Sequence, residues 1–214
     1  MVCVQVQMRK GDSVCATILY MSMSLDGFIA GPNEGPGNGL GDGGGRLHDW
    51  ALTAAGAGGK GVPALVSRGV NGQLVDEFMS TGAVVAGRGT FEPAGGWGGD
   101  HHDGVPIFIL TRQQPYSFAA DWPLVTPVSD IAAATMKAKE AAAERNVLVH
   151  GAGIARLALA AGVLDELELT VVPVLFGAGR RLFEDLPPEQ IELERMRILE
   201  GEGGVTHLRY RVKA

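Results

Sequence analysis

Three short segments of the sequence place glycine, hydroxyl or guanidinium groups directly after a pattern typical of a buried strand. They are residues 87–90 (GRGT), residues 111–112 (TR) and residues 150–153 (HGAG). Glycines at a strand-to-helix turn leave backbone N–H groups facing outward, and a helix N-terminus adds about half a positive charge. A threonine hydroxyl and an arginine guanidinium at a strand end can together hold a phosphate. All three segments are therefore candidate anion-binding sites.

Taken together, the three segments indicate one extended anionic ligand. Each alone is explained as well by an ordinary turn, and Arg156 stands where the dinucleotide fingerprint has its third glycine. However, each segment follows a predicted strand at its carboxyl end, the edge where open α/β sheets bind ligands. NADPH fits three separate anion sites, because it carries a pyrophosphate and a 2′-phosphate.

The composition excludes several classes of protein. The chain has 214 residues, of which 32 are glycine and 46% are hydrophobic, and its formal net charge is −6. The apolar content argues against disorder, and the negative charge argues against a nucleic-acid partner. No apolar run is long enough for a transmembrane helix, so no membrane partner is expected. Two cysteines are too few for a disulfide framework or a zinc site, so we expect no metal and a cytoplasmic location.

Hydrophobic periodicity predicts the elements that position these segments. The predicted strands are residues 15–23, 83–86, 105–110, 124–126, 147–150, 168–176, 191–199 and 205–212, and the predicted helices are residues 72–80, 130–144 and 152–161. This order predicts an α/β fold with a mainly parallel sheet, an antiparallel C-terminal edge and helices on both faces. Residues 1–14 are expected to be a disordered tail. Residues 15–214 are expected to form one domain with a glycine-rich insertion around residues 31–72, of which residues 31–45 are expected to be a mobile surface loop.

The sequence resembles the dihydrofolate-reductase-like family, and most closely the C-terminal reductase domain of the bacterial riboflavin-biosynthesis deaminase-reductase and its stand-alone relatives. The resemblance rests on residues 20–31 (YMSMSLDGFIAG), 49–50 (DW), 85–92 (VAGRGTFE), 109–112 (ILTR), 150–153 (HGAG) and 172–179 (VPVLFGAG). It covers about residues 15–212 and is weakest at 51–72. It implies a three-layer fold on an eight-stranded sheet, a reductase activity with NADPH, and a homodimer.

The resemblance also implies which residues bind the cofactor. The segments at 87–90 and 110–112 would bind its phosphate side, the turn at 151–154 would bind the pyrophosphate and nicotinamide half, and residues 29–30 would lie near the nicotinamide. Arg112 would favour NADPH over NADH, because a 2′-phosphate needs a cation. The implied cofactor-binding residues are Ile29, Ala30, Gly87, Arg88, Gly89, Thr90, Leu110, Thr111, Arg112, Gly151, Ala152, Gly153 and Ile154.

Hydride transfer to a C=O or C=N leaves negative charge on the heteroatom, so a proton must be supplied. Two carboxylates are candidate catalytic residues: Asp26, at the end of the first predicted strand, and Asp49. The alternatives are a turn residue for Asp26 and a helix cap for Asp49. Trp50 and Trp97 are candidate substrate-binding residues: Trp50 as a wall of the pocket, and Trp97 as a lid over the cofactor, with a simple loop anchor as its alternative. His150, on a predicted buried strand, is interpreted as a core histidine with satisfied hydrogen bonds.

These observations predict a NADPH-dependent reductase of a small heterocyclic substrate, similar to 5-amino-6-(5-phosphoribosylamino)uracil reductase. A dihydrofolate reductase proper is one alternative, although the acidic helix residue of folate-reducing relatives has no certain counterpart and only Asp76 and Glu77 lie on a predicted helix. A non-catalytic NADPH-binding sensor is the other. The paired cysteines and His-x-Glu motif of a deaminase do not occur, so any reductase here acts without a fused deaminase.

Overall fold

A computed structural model of the protein describes residues 15–35, 37–52, 65–112, 121–186 and 188–213. The predicted tail at residues 1–14 lies outside these ranges. The strands are β1 (Thr17–Ser24), β2 (Phe28–Ala30), β3 (Ala83–Gly87), β4 (Ile107–Leu110), β5 (Val125–Val128), β6 (Val147–His150), β7 (Glu166–Val172), β8 (Arg180–Arg181), β9 (Leu193–Glu200) and β10 (Thr206–Val212). The α-helices are α1 (Gly69–Met79), α2 (Arg88–Phe91), α3 (Ile131–Ala142) and α4 (Ala152–Ala160), and 3-10 helices cover Gly44–Ala51, Gly95–Gly99 and Glu202–Gly204.

Eight strands form one sheet in the order β5-β4-β3-β6-β1-β7-β10-β9. The strands from β5 to β7 are parallel, whereas β10 pairs antiparallel with both β7 and β9. The predicted α/β fold, its mainly parallel sheet and its antiparallel C-terminal edge are therefore confirmed. A separate ribbon of β2 and β8 was not predicted, because strands of three and two residues are too short to show a period of two.

Helices cover both faces of this sheet, as the sequence predicts. On one face Leu19, Val85 and Val149 pack with buried alanines of α3 and with Ile154 of α4. On the other face Ile18, Val84 and Leu148 pack with Phe91 of α2, and Phe78 of α1 joins them at the margin. Asp130 caps α3 as expected, because its carboxylate accepts a hydrogen bond from the Ala133 N–H at 2.8 Å. None of the described helices is long and apolar enough to cross a membrane.

The described part of the glycine-rich segment is closely packed and contains regular structure. A Cβ atom on Gly31 would lie 1.9 Å from the Asp42 carbonyl oxygen, and one on Gly41 would lie 2.1 Å from the Gly31 carbonyl oxygen. The chain here folds back on itself so closely that only glycine fits. A 3-10 helix and the start of α1 also fall within residues 31–72. The glycines therefore allow close backbone contact here, and the mobility of the loop stays a prediction.

Candidate functional site

The three segments predicted to bind anions lie at the carboxyl ends of three neighbouring parallel strands. β6 lies beside β3, and β3 lies beside β4. Ala86 pairs with His150, and Gly87 pairs with Leu110, so the three strands end at about the same level. The turn after β6, α2 after β3 and residues 111–112 after β4 therefore share one edge of the sheet. We call this group the strand-end turns.

Two of the strand-end turns contact each other directly. Gly151 has a φ of +100° and a ψ of 146°, a conformation essentially restricted to glycine. A Cβ atom at Gly151 would lie 2.2 Å from the Oγ1 atom of Thr90, and one at Gly87 would lie 3.1 Å from the Cδ1 atom of Ile154. The structure thus brings together four of the residues implied to bind the cofactor, and it explains why glycine occupies two of these positions.

Helix α4 begins directly after Gly151 and presents its N-terminus to this edge. No side chain caps it, and the first N–H groups of an α-helix have no partner within the helix. A Cβ atom on Gly153 would meet no heavy atom within 4 Å, so the space beside this residue is open. The arrangement suits an anion, because unpaired N–H groups and the helix dipole favour negative charge at the same place.

The arginines predicted to contact phosphate lie at the same edge. Arg88 begins α2 and forms an ion pair with Glu92 one turn later. Thr111 follows β4, and its N–H donates a 2.8 Å hydrogen bond to the Val128 carbonyl. Arg112 is exposed directly after it. The guanidinium of Arg112 is therefore at the rim of the edge, where a terminal phosphate of an extended ligand would reach it.

A cavity of about 610 Å³ adjoins the strand-end turns. Six residues singled out from the sequence line it: Ile29, Ala30, Gly89, Thr90, Trp50 and Trp97. One wall is apolar and is formed by Leu40, Leu52, Leu65, Leu74, Val75 and Phe78. A second set of lining residues is polar and consists of Tyr20, Ser22, His48, His150, Glu168 and Thr170, which we call the polar wall. A mostly apolar cavity with a few polar groups suits a small ring-shaped molecule that carries hydrogen-bonding groups.

Comparison with known proteins identifies the family. The family model of the RibD C-terminal domain matches residues 16–206. The chain belongs to the RibD C-terminal domain family. Membership of this family supports a reductase-like role, as the sequence resemblance implies. No curated protein sequence matches the chain.

Solved structures share the fold of this RibD C-terminal domain. A protein from Shewanella sp. PV-4 assigned to riboflavin biosynthesis matches with a TM-score of 0.66 at 20% identity, over 93% of this chain and 99% of that chain. A pyrimidine reductase-like protein from Corynebacterium diphtheriae gives a TM-score of 0.60 at 14% identity, over 94% and 92% of the two chains. RibD from Acinetobacter baumannii gives a TM-score of 0.58 at 15% identity, over 94% of this chain and 59% of that one. At these identities the likeness shows a common fold.

Neither carboxylate predicted to be catalytic lines the cavity of this RibD C-terminal domain. The Asp26 carboxylate accepts hydrogen bonds from the Ser24 hydroxyl and from the N–H groups of Phe176 and Gly177, at 2.5 to 3.1 Å. The Ser24 hydroxyl bond is the main cause that lowers the pKa of Asp26 to about 2, so its carboxyl is ionised near neutral pH. This arrangement argues against Asp26 as a proton donor and matches the alternative of a turn residue.

Asp49 is also directed away from the cavity. It lies inside the 3-10 helix Gly44–Ala51, where its carboxylate lies 3.4 Å from the guanidinium of Arg46. Both side chains of this pair are exposed to solvent. Asp49 is not the cap of the helix, because Gly43 occupies that position. The neighbouring Trp50 does line the cavity, and its Nε1–H donates a 2.8 Å hydrogen bond to the Ser22 hydroxyl.

The polar wall rests on a buried group of charges that the sequence analysis missed. The Glu168 side chain is only 2% exposed, and its Oε2 atom lies 2.9 Å from Arg197. Arg197 also binds Glu77 of α1 through two hydrogen bonds of 2.7 and 2.6 Å. Burial raises the pKa of Glu168, although the neighbouring guanidinium groups of Arg197 and Arg209 act to lower it. The signal in the sequence was the alternation in residues 166–170 (ELELT), which places every second, polar side chain on one face of a central strand.

Two histidines of the polar wall each have a ring nitrogen without a hydrogen-bond partner in the described part of the chain. The Nδ1 atoms of His48 and His150 are buried and have no hydrogen-bond partner among the described residues. Burial lowers the pKa of both imidazoles, and that of His150 falls to about 4. The interpretation of His150 as a core histidine with satisfied hydrogen bonds was therefore wrong. Its ring contacts those of Trp97 and His101, each at 6.3 Å between centroids.

Proposed function

We propose that this protein is a NADPH-dependent reductase that transfers a hydride to a C=O or C=N of a small heterocyclic substrate, similar to 5-amino-6-(5-phosphoribosylamino)uracil. The observation that supports this proposal most strongly is that the strand-end turns adjoin a mostly apolar cavity with several polar side chains, at one edge of the sheet. Phosphate-binding features alone would suit any nucleotide. The adjoining cavity adds room for a second, ring-shaped molecule, and membership of the RibD C-terminal domain family supports a reductase.

The residues at the edge fit the cofactor. The N-terminus of α4 after Gly151 would hold the pyrophosphate through backbone N–H groups, with Thr90 in contact on one side. Arg112 would bind the 2′-phosphate at the exposed rim. Ile29 and Ala30 line the cavity and would pack against the nicotinamide ring. When bound, the reduced nicotinamide supplies the hydride, which carries two electrons.

The chain's own residues would prepare the substrate for that transfer. The apolar wall, with Leu74, Val75 and Phe78 from α1, would exclude water and favour a flat ring. Trp50 would orient the ring, because its indole is fixed by the hydrogen bond to Ser22. The polar wall would bind the heteroatoms of the substrate. We therefore seek the proton donor on the polar wall rather than at Asp26 or Asp49.

The two alternative functions are less well supported. In a dihydrofolate reductase proper we would expect an acidic side chain of the helix in the cavity. Here Glu77 of α1 is bound to Arg197 and Arg209, and α1 presents apolar side chains to the cavity. A non-catalytic sensor would keep the strand-end turns and bind NADPH without any turnover.

One pair of measurements separates these functions. Calorimetric titration with NADPH reports binding, and the loss of reduced-nicotinamide absorbance with the phosphoribosylamino-uracil or with dihydrofolate reports turnover. We expect binding, with turnover of the uracil. Turnover of dihydrofolate alone would identify a dihydrofolate reductase. Binding without turnover of either would favour the sensor, and the lack of binding would contradict all three functions. The homodimer and the cytoplasmic location remain predictions from the sequence, and light scattering tests the first.

A further inference from the structure

We propose that His150, together with His48, binds the substrate heteroatom that gains the negative charge. This inference rests on the proposed function and names the residues that would act on the substrate. His150 is the last residue of β6 and directly precedes Gly151, where the nicotinamide half of the cofactor is proposed to bind. His48 reaches the same cavity from the 3-10 helix Gly44–Ala51. The two imidazoles therefore flank the place where the substrate would meet the nicotinamide.

The unpartnered nitrogens are the main observation. Buried polar atoms in native proteins nearly always have a hydrogen-bond partner, and the exceptions often mark functional sites. Here three such atoms belong to residues that line one cavity: Nδ1 of His48, Nδ1 of His150 and Oε1 of Glu168. The two histidine side chains are only partly buried as whole residues, so part of each ring faces the cavity. A ligand with hydrogen-bonding groups would provide the partners that the protein does not.

Other polar groups of the wall are less suitable. The Ser22 hydroxyl accepts from Trp50, and the Thr170 hydroxyl pairs with Nδ1 of His207 at 2.9 Å. Glu168 also has an unpartnered atom, Oε1, but its side chain is only 2% exposed and is held by Arg197. Tyr20 is buried, and burial raises the pKa of its hydroxyl to about 12. Among the described residues of the polar wall, His48 and His150 are therefore the two that are partly exposed and also carry an unpartnered nitrogen.

The surroundings of His150 keep its ring neutral. Besides burial, a charge on His48 would lower its pKa further, and only the backbone carbonyl of Tyr20 opposes this effect. His101, which packs against it from the loop after α2, is itself neutral because burial lowers its pKa to about 3. A neutral imidazole has one N–H donor and one acceptor nitrogen. Such a donor can stabilise charge that develops on a substrate heteroatom.

The proposed step balances in atoms and charge. The carbon of the substrate C=N or C=O gains a hydride, and the electron pair of the double bond moves onto the heteroatom. The N–H of His150 stabilises this charge through a hydrogen bond, and the heteroatom takes up one proton, which comes in the end from water. In the overall reaction, the substrate, the reduced dinucleotide and one proton give the reduced substrate and the oxidised dinucleotide.

Variants at residue 150 test this role. In His150→Phe the ring shape is kept and the nitrogens are lost, whereas His150→Gln retains a hydrogen-bonding group. We expect His150→Phe to bind NADPH with unchanged affinity by calorimetry and to lose about 10²-fold or more in kcat. We expect His150→Gln to recover part of the loss, because it can still donate to the heteroatom. A kcat for His150→Phe equal to that of the parent would overturn the proposal.

A second measurement does not depend on turnover or on any variant being folded. The parent is labelled with ¹⁵N in its histidine side chains and titrated with 5,6-diaminouracil in the presence of oxidised NADP. We expect the ring nitrogens of His150 and His48 to shift. His207 is the internal control, since it is buried, does not line the cavity, and has both nitrogens paired, with Thr170 and Asn71. Shifts confined to His207, or no shift at all, would contradict the proposal. Shifts at His150 in a protein that consumes no NADPH would refute the proposed function and retain the binding role of the histidines.

Discussion

The strand-end turns and the polar wall adjoin each other, yet they are built in different ways. The turns are short contiguous segments that follow three neighbouring strands, and their backbone geometry sets their chemistry. The polar wall takes its side chains from β1, β6, β7 and a 3-10 helix, and it rests on ion pairs that reach to β9 and α1. A turn is therefore damaged by a local change in backbone. The wall is damaged by changes several residues away from any ligand.

This difference separates two kinds of effect in variants. Changes at the turns should alter binding of the cofactor, whereas changes beneath the wall should first lower the free energy of unfolding.

Arg197→Met should break the support of the polar wall. It would leave Glu168, which is only 2% exposed, with the more distant Arg209 at 3.8 Å. Removing one partner of a buried ion pair costs several kcal/mol, so we expect a loss of about 3 kcal/mol in the free energy of unfolding. Denaturant unfolding measures it. The matched control is Arg195→Met on the same strand, since Arg195 is exposed. Equal stability of the two variants would contradict the role of Arg197.

The same variant should show a distinct dependence on pH. The pKa of Glu168 is already raised above its usual 4.5 in the folded protein, and it should rise further without Arg197. A carboxyl with a raised pKa binds more protons when folded than when unfolded. The free energy of unfolding of Arg197→Met should therefore fall as the pH rises from about 4.5 through the raised pKa. A flat profile over that range would show that Glu168 is not the group exposed by the substitution.

Gly151→Ala should damage the strand-end turns directly. The side chain would be strained at a φ of +100° and would meet the Thr90 hydroxyl at 2.2 Å. We expect a loss of about 2 kcal/mol in stability, together with weaker NADPH binding in calorimetry. Gly153→Ala is the control for stability, because a Cβ there meets no heavy atom within 4 Å. Unchanged stability and NADPH affinity in Gly151→Ala would argue that this turn neither requires glycine nor touches the cofactor.

Arg112→Ala should change the choice of cofactor and leave the fold intact. An exposed guanidinium bound to a phosphate contributes a charge-assisted hydrogen bond, so we expect NADPH affinity to fall about tenfold or more. NADH affinity should hardly change, because NADH has no 2′-phosphate. Arg156→Ala, at an exposed arginine of α4, is the control. Equal losses of affinity for NADPH and NADH would show that Arg112 does not bind the 2′-phosphate.

Asp26→Asn should have the smallest effect on turnover, since Asp26 does not line the cavity. Its effect should appear in acid instead. The pKa of Asp26 is lowered from 3.8 to about 2, so its carboxylate stabilises the fold above pH 3.8 and this contribution is lost as the pH falls towards 2. In Asp26→Asn that part of the acid dependence should be missing. A large fall in kcat would contradict this expectation and would indicate that Asp26 is the proton donor.

The sequence predicted the sheet and the strand-end turns well for physical reasons. Uninterrupted apolar runs such as residues 105–110 (VPIFIL) indicate buried strands directly, and Asp130 marks the start of a helix. The candidates at Asp26 and Asp49 were weaker, because a carboxylate beside a glycine or a tryptophan does not reveal which way it points. The polar wall could not be assembled, since Tyr20, His48 and Glu168 are distant in sequence and meet only through strand order. The close backbone packing of the glycine-rich segment could not be predicted for another reason. Glycine permits tight packing as readily as mobility, so glycine content alone does not distinguish the two.

The most direct test of the account is calorimetric titration of the parent protein with NADPH, repeated with Gly151→Ala and Arg112→Ala. If turns on three adjacent strands jointly bind one dinucleotide, the parent should show a single saturable site per chain, and both variants should weaken it. A parent that gives no saturable heat, or two variants that bind as the parent does, would contradict the account.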